Sequence, residues 1–366
     1  MNFTITRDAL LKPLQVVSGA VERRHTLPIL ANVLIRVSEE ELRLTGTDLE
    51  VELVSVVALD GAVAGEVTVP AKKLLDIVRS LPEGNDVKVE ASGDKVIVRS
   101  GRSKFTLSSL PSTEFPDIDE WEAEVSFEIG RGELRHLMDR THFSMANQDV
   151  RYYLNGMLFE VNDNQLRTVA TDGHRLAMAG IQLEQSGLPQ RQVIVPRKGV
   201  SELMRLLEQD DTLIQVAIGQ NHIRIVNEGM SFTSKLLDGR FPDYRRVLPQ
   251  GGDKTVIADR ELLRSACARA SILSNEKFRG VRMNVSNGEV ALTANNPEQE
   301  QAEESIEVEY QGEALEIGFN VTYVLDVLNS IHGESVKFTL IDANSSALVE
   351  DAADDSALYV VMPMRL

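Results

Sequence analysis

The chain has 366 residues, 43% of them hydrophobic and 26% charged, with a net charge of −18. That balance fits a globular chain long enough for two or three domains and excludes a low-complexity or disordered one. Aromatic residues make up only 5%, no apolar run approaches the ~20 residues that span a bilayer, and Cys267 stands alone, so no intrachain disulfide is possible.

Residues 1–7 alternate like a strand and lack the apolar stretch of a secretory leader, so a cytoplasmic protein is expected. A first helix is expected over 7–21, with Leu10, Leu11, Leu14 and Val17 on one face. Strand alternation follows at 41–45. A second helix follows Pro70, a good first-turn residue, and turns Leu74, Leu75 and Val78 inward. Strands read at 87–90 and 95–99. Helical periods return at 132–143 and 196–207, a strand at 223–226, and helices at 259–273 and 320–331. Two helices fall to each third of the chain.

The thirds are copies. Leu30-Ala31-Asn32-Val33-Leu34 matches Leu154-Asn155-Gly156-Met157-Leu158 and Phe278-Arg279-Gly280-Val281-Arg282 at steps of 124. Thr45-Gly46-Thr47-Asp48 matches Val169-Ala170-Thr171-Asp172 and Thr293-Ala294-Asn295-Asn296 at the same step. Val69-Pro70-Ala71-Lys72 matches Val195-Pro196-Arg197-Lys198. A period this long means tandem whole domains, since solenoid units are far shorter. Phe105-Thr106 leads to Phe115-Pro116-Asp117, and Phe232-Thr233 leads to Phe241-Pro242-Asp243. Both read as a last strand and its connector. Domains are therefore expected at 1–120, 125–245 and 253–366, in an α+β class with two helices on antiparallel sheets in each.

Counted over 7–24, 70–81, 131–141, 196–208, 259–277 and 320–332, the windows that hold the six expected helices, the net charge is +6 against the chain total of −18, which leaves −24 on everything else. Helix propensity favours Glu as much as Lys, so it does not explain the excess of one sign. Basic helices in an acidic remainder suit an anion held inside and repelled outside.

Longer literal matches carry a resemblance. They include Leu27-Pro28-Ile29-Leu30, Thr45-Gly46-Thr47-Asp48-Leu49-Glu50, the run from Gln148 to Phe159, Ala170-Thr171-Asp172-Gly173-His174-Arg175-Leu176, Phe241-Pro242-Asp243-Tyr244-Arg245-Arg246-Val247, and Tyr359 to Leu366. The chain resembles the bacterial DNA sliding clamp, the beta subunit of the replicative DNA polymerase, from Phe3 to Leu366. The resemblance implies the DNA clamp fold: a head-to-tail homodimeric ring around duplex DNA. It implies no cofactor and no metal, and a place in the cytoplasm with the nucleoid.

Three sites follow from it. DNA contacts, mostly to phosphate in a protein that slides, fall on Arg24, Lys72, Gln148, Tyr152 and Tyr153. The two Tyr rings suit stacking on unpaired bases at primer–template junctions; as bare residues they equally suit a strand with one ring in and one out. A cleft for peptides of the polymerase catalytic subunit, the clamp loader, other polymerases and repair proteins falls on Leu154, Thr171, Gly173, His174, Arg175, Leu176, Pro242, Arg246 and Val247. From the last domain it takes Asn320, Tyr323, Ser346, Val360, Val361, Met362, Pro363, Met364 and Arg365. Adaptable Met side chains suit varied guests, although the Met pair alone also reads as core. Asn344 stands where an apolar wall residue is expected. The subunit interface falls on Lys73, Arg102, Lys104, Phe105 and Leu107 against Ile272, Leu273, Glu298, Glu300, Glu303 and Glu304.

Catalysis finds no support. Asp172-Gly173-His174-Arg175 has only Thr171 as a neighbouring hydroxyl, the six His residues lack ligand spacing, and no phosphate-cradling glycine loop exists. The alternative is a cytosolic scaffold of three peptide-docking domains that does not encircle DNA.

Overall fold

The computed structural model describes residues 1–21, 27–116, 118 and 120–366. Among them are six α-helices: α1 (Arg7–Val17), α2 (Ala71–Ser80), α3 (Arg131–Asp139), α4 (Arg197–Leu206), α5 (Arg260–Ser271) and α6 (Val321–Ser330). Each begins where a strand ends. Thr6, Asp259 and Asn320 cap α1, α5 and α6 by accepting the N–H of Ala9, Leu262 and Thr322. The first helix is shorter than its periodicity suggests. Pro13 lies within α1, and the helical ladder stops at Val17, beyond which Ser18, Gly19 and Ala20 form a turn. Likewise α3 ends at Asp139, and a separate short turn, His142–Ser144, carries the chain on.

The chain divides into two compact units, one of 1–133 with 198–236, the other of 134–197 with 237–366. The first holds a four-stranded sheet, ordered Asn2–Thr6, Asp86–Ser92, Lys95–Ser100, Ser103–Ser108, and an eight-stranded one. The eight-stranded sheet joins strands of the first and middle repeats, because Met230–Lys235 pairs antiparallel with Val51–Ala58, Phe232 opposite Leu53. Helices α1 and α2 pack together in this unit, burying Leu10, Leu14, Val17, Leu74 and Val78.

The second unit repeats the plan. Its four-stranded sheet runs Gln301–Glu307, Glu289–Asn295, Gly280–Ser286, Leu315–Asn320. Its eight-stranded sheet joins the middle and last repeats where Arg175–Gln182 pairs with Ala357–Val361, Ala177 opposite Tyr359. Helices α5 and α6 pack together. The compact units therefore cut across the sequence repeat: each eight-stranded sheet runs through a repeat boundary, and the middle repeat contributes strands to both. The cores are aliphatic, as the composition implies. Among the described residues no helix is long and apolar enough to cross a membrane.

Candidate functional site

In the second unit a hydrogen-bonded turn follows strand Gln165–Thr171. The Thr171 hydroxyl donates to the Arg175 carbonyl at 2.6 Å and accepts the Gly173 N–H at 3.1 Å. The Asp172 carboxylate accepts the His174 and Arg175 N–H groups at 2.9 and 3.1 Å. Gly173 sits at φ +89°, where a side chain is strained. The turn delivers Arg175 into a nearly buried position. Its guanidinium bonds Asp172 at 3.1 Å, the Phe143 carbonyl at 2.8 Å and the Asp326 carboxylate of α6. It also lies 4.5 Å from the Tyr323 ring centroid, and the His174 imidazole stacks on that same ring.

Beside this turn runs the last strand. Leu176 pairs with Val360 and Arg175 with Val361, and both valines are buried. The strand ends there, but the Met362 N–H still donates to the His174 carbonyl at 2.9 Å, and the Met364 N–H to the Gly318 carbonyl at 2.8 Å. Met362 is thereby tied by its backbone while its side chain is exposed. Pro363, between them, has no N–H to donate. Asn320, at the start of α6, and Ser346, before strand Ala347–Asp351, belong to the same unit, and Asn344 is exposed.

The connector after the middle repeat completes the arrangement. Phe241 and Tyr244 are buried with Leu158, Val169, Leu176, Ile194 and Val360 in one apolar cluster. Pro242, Arg246 and Val247 stay exposed, and Arg246 pairs with nearby Asp243, at 2.9 Å. Leu154 is buried. The expected cleft residues therefore lie in one unit, around a fixed turn, a strand end and a connector.

The first unit holds a copy of the turn. Thr47 donates to the Val51 carbonyl at 2.9 Å, and Asp48 accepts the Glu50 and Val51 N–H groups at 2.9 and 2.7 Å. Leu49 takes the left-handed conformation that Gly173 takes in the second. The Lys235 N–H donates to the Glu50 carbonyl, as Met362 does to His174. The lining differs: Thr233, Ser234 and Lys235 stand where Val360, Val361 and Met362 stand in the second unit, and buried Asp48 pairs with Lys198.

Comparison with known proteins agrees with this architecture. Models of the N-terminal, central and C-terminal domains of the DNA polymerase III beta subunit match residues 1–119, 128–243 and 245–365. The chain belongs to the DNA polymerase III beta subunit family. The beta sliding clamp of Pseudomonas aeruginosa is 58% identical, and that of Escherichia coli 57%, each over the full length of both chains. A crystal structure of the Pseudomonas aeruginosa subunit superposes with a TM-score of 0.98 at 57% identity, and the Caulobacter crescentus beta subunit with 0.95 at 39%, both covering 100% of each chain. As a member of this family the chain is a non-catalytic polymerase subunit with three tandem clamp domains. The Thr171 hydroxyl is fully engaged within its turn. Among the described residues no group of three His, Cys, Asp or Glu side chains is placed to hold a metal ion.

Arg24 lies outside the described residues. Lys72 is exposed in the first turn of α2. Gln148 is exposed on the 146–155 loop at φ +56°. Tyr152 and Tyr153 differ: Tyr152 is 53% exposed, whereas Tyr153 is half-buried against the apolar cluster, its ring edge-on to Tyr152. The two rings thus sit in different environments, one largely in solvent and the other packed on the cluster.

The same loop shows residues that the sequence reading missed. Asp149 and Arg151 form a two-pronged pair at 3.0 and 2.9 Å, which holds the Asp149 carboxyl down to about 2. Arg151 also donates to the Asp172 carbonyl at 3.2 Å, linking the loop to the Thr171–Arg175 turn. Phe278, exposed, lines with Met364 and Leu366 a depression of about 420 Å³ beside the tail. Only the repeat alignment, which sets Phe278 opposite Leu154, hinted at it.

At the expected subunit interface, Arg102 and Lys104 are exposed, Phe105 is half-buried and Leu107 buried on the edge strand Ser103–Ser108; Lys73 is exposed on α2. Ile272 is 74% exposed just past α5, and Leu273 is partly covered. Glu298, Glu300 and Glu303 are exposed. Glu304, by contrast, is held at 2.7 Å by both prongs of Arg269.

Proposed function

We propose that this chain is a processivity factor of DNA polymerase III. Two copies close head to tail into a ring around duplex DNA, and the cleft tethers the polymerase catalytic subunit, the clamp loader and other polymerases and repair proteins. The domains span 1–120, 125–245 and 253–366. The ring works in the cytoplasm with the nucleoid. Arg24, Lys72, Gln148 and Tyr152 touch DNA, with Tyr153 behind Tyr152. Ile272 and Leu273 meet Phe105 and Leu107 of the second copy, while Lys73, Arg102 and Lys104 face Glu298, Glu300 and Glu303.

The observation that carries the cleft is the exposed Met362, held by the His174 carbonyl at the end of a buried Val360-Val361 strand. A strand end with an adaptable apolar side chain, a fixed turn and an exposed Val247 gives a short peptide both anchoring surface and shape. Each apolar side chain that a peptide buries there contributes about 1.5–3 kcal/mol. For DNA, the support is the excess of Lys and Arg over the helices within a chain of −18.

Loading onto circular DNA, followed by linearisation, tests encirclement. A ring stays on the circle and runs off the cut ends. Equal retention on both forms would favour the peptide scaffold. Met362→Ala tests the cleft, with binding of the polymerase catalytic subunit expected to fall at least tenfold.

A further inference from the structure

The second unit buries a carboxylate that none of the assigned roles uses. Glu160 lies midway along strand Gly156–Asp163 and is 2% exposed. Its register partners on the flanking strands are Arg167 and Gln192. Leu158, Val169 and Ile194 make an apolar bed two residues away on the same strands. A charge in such a place is costly unless it is paired and fully hydrogen-bonded.

Here the donors converge from two sources. From the sheet come the Arg167 guanidinium at 3.3 Å and the Gln192 amide. From the connector come the Tyr244 hydroxyl at 2.9 Å and the Arg245 guanidinium at 2.7 Å, both onto Oε1. Burial opposes ionisation of Glu160, but the hydrogen bonds from Gln192 and Tyr244 and the charges of Arg245 and Arg167 outweigh it, so its carboxyl stays below the ordinary range. The connector is thus bolted to the sheet by two consecutive side chains. The next two residues are Arg246 and Val247, both exposed.

We propose that Glu160 is a positioning residue for peptide binding. It touches no peptide itself; through Tyr244 and Arg245 it fixes the Tyr244–Val247 turn, and so sets where Val247 and Arg246 stand as one wall of the cleft. Phe241 and Tyr244 supply burial, which is non-directional; the carboxylate supplies the direction. This inference rests on the cleft reading above.

The test uses the full-length protein and the replicative polymerase catalytic subunit as probe, with affinity measured at equilibrium. Glu160→Gln keeps the side-chain shape and removes the charge; binding is expected to weaken about tenfold. Tyr244→Phe removes one hydrogen bond; about threefold is expected. Amide exchange should quicken at 244–248 and stay unchanged in α5 and α6, a local signature that general destabilisation does not give. In a Val247→Ala background the effect of Glu160→Gln should shrink below threefold, because the wall it positions has been cut away.

Met362→Ala in the otherwise native chain separates the two readings. If Met362→Ala binds like wild type, the cleft reading fails. If it weakens binding while Glu160→Gln and Tyr244→Phe bind normally, the positioning role fails alone. Weakened binding with unchanged exchange at 244–248, or full additivity with Val247→Ala, also overturns it. Should Glu160→Gln fail to fold, Tyr244→Phe decides by the same three readouts.

Discussion

The Arg175 guanidinium stands 4.5 Å from the centroid of the Tyr323 ring, held there by Asp172 on its own turn and Asp326 on α6. Arg175 and Asp326, 151 positions apart in sequence, are thereby held together. Lysine keeps the charge but loses the planar fork and the stacking. Arg175→Lys is expected to lower affinity for the polymerase catalytic subunit about tenfold, or ~1.4 kcal/mol, by loss of the cation–π contact and the second carboxylate. Titration by surface plasmon resonance checks it, and unchanged affinity would remove Arg175 from the cleft.

Exposed Ile272 and its neighbour Leu273 are expected to hold the ring closed. Truncating both to Ala removes apolar area worth about 3–6 kcal/mol per interface if both are buried there. Sedimentation at micromolar concentration should show a dimer for the native chain and a monomer for the double variant. Glu304→Gln should matter less than Glu303→Gln, because Arg269 already engages Glu304 within its own chain.

The two turns lead to a stoichiometry. Both have the same hydrogen bonds, but Thr233, Ser234 and Lys235 line the first where Val360, Val361 and Met362 line the second. Calorimetry with a partner peptide should give one site per chain. Two equivalent sites would mean that the turn, and not its apolar lining, makes the site.

Acid should loosen the connector in a defined order. The folded value of the Glu160 carboxyl lies below its unfolded one, so its contribution is complete above the unfolded value, about 4.3. It is lost as pH falls through the folded value. Exchange protection at 244–248 should therefore, after correction for intrinsic rates, hold from pH 8 to pH 5 and fall only below about 4. Glu160→Gln should show no such step.

Cys267 is buried in α5, and burial pushes its thiol up to about 12. A thiol this protonated and this enclosed is a poor nucleophile. Labelling at pH 8 should follow opening of the α5 region and become fast only in denaturant.

Much of the fold was legible in the sequence because it is written three times. The periodicity placed the helices to within a few residues, and the match of Thr47-Asp48 to Thr171-Asp172 marked the two segments as equivalent, although the turn they form was not read from it. What stayed hidden depends on distant meetings. Nothing near Glu160 announces Tyr244, 84 residues on, and nothing near Arg175 announces Asp326. Acidic residues are common in this chain, so a single buried Glu does not stand out until its donors are seen. The Tyr pair could be read two ways, and packing of Tyr153 on the apolar cluster gives each ring a different environment. Pro13, inside α1, was visible, but the end of that helix at Val17 was not.

Strand Met230–Lys235 continues a sheet begun in the first repeat, and Arg175–Gln182 one finished in the third. The middle repeat is therefore not a bead that can be lifted from its string. Excised, it would present two raw edges of unsatisfied peptide groups, one on each sheet. Evolution by tandem copying has left segments that recur as sequence but are no longer separable as material.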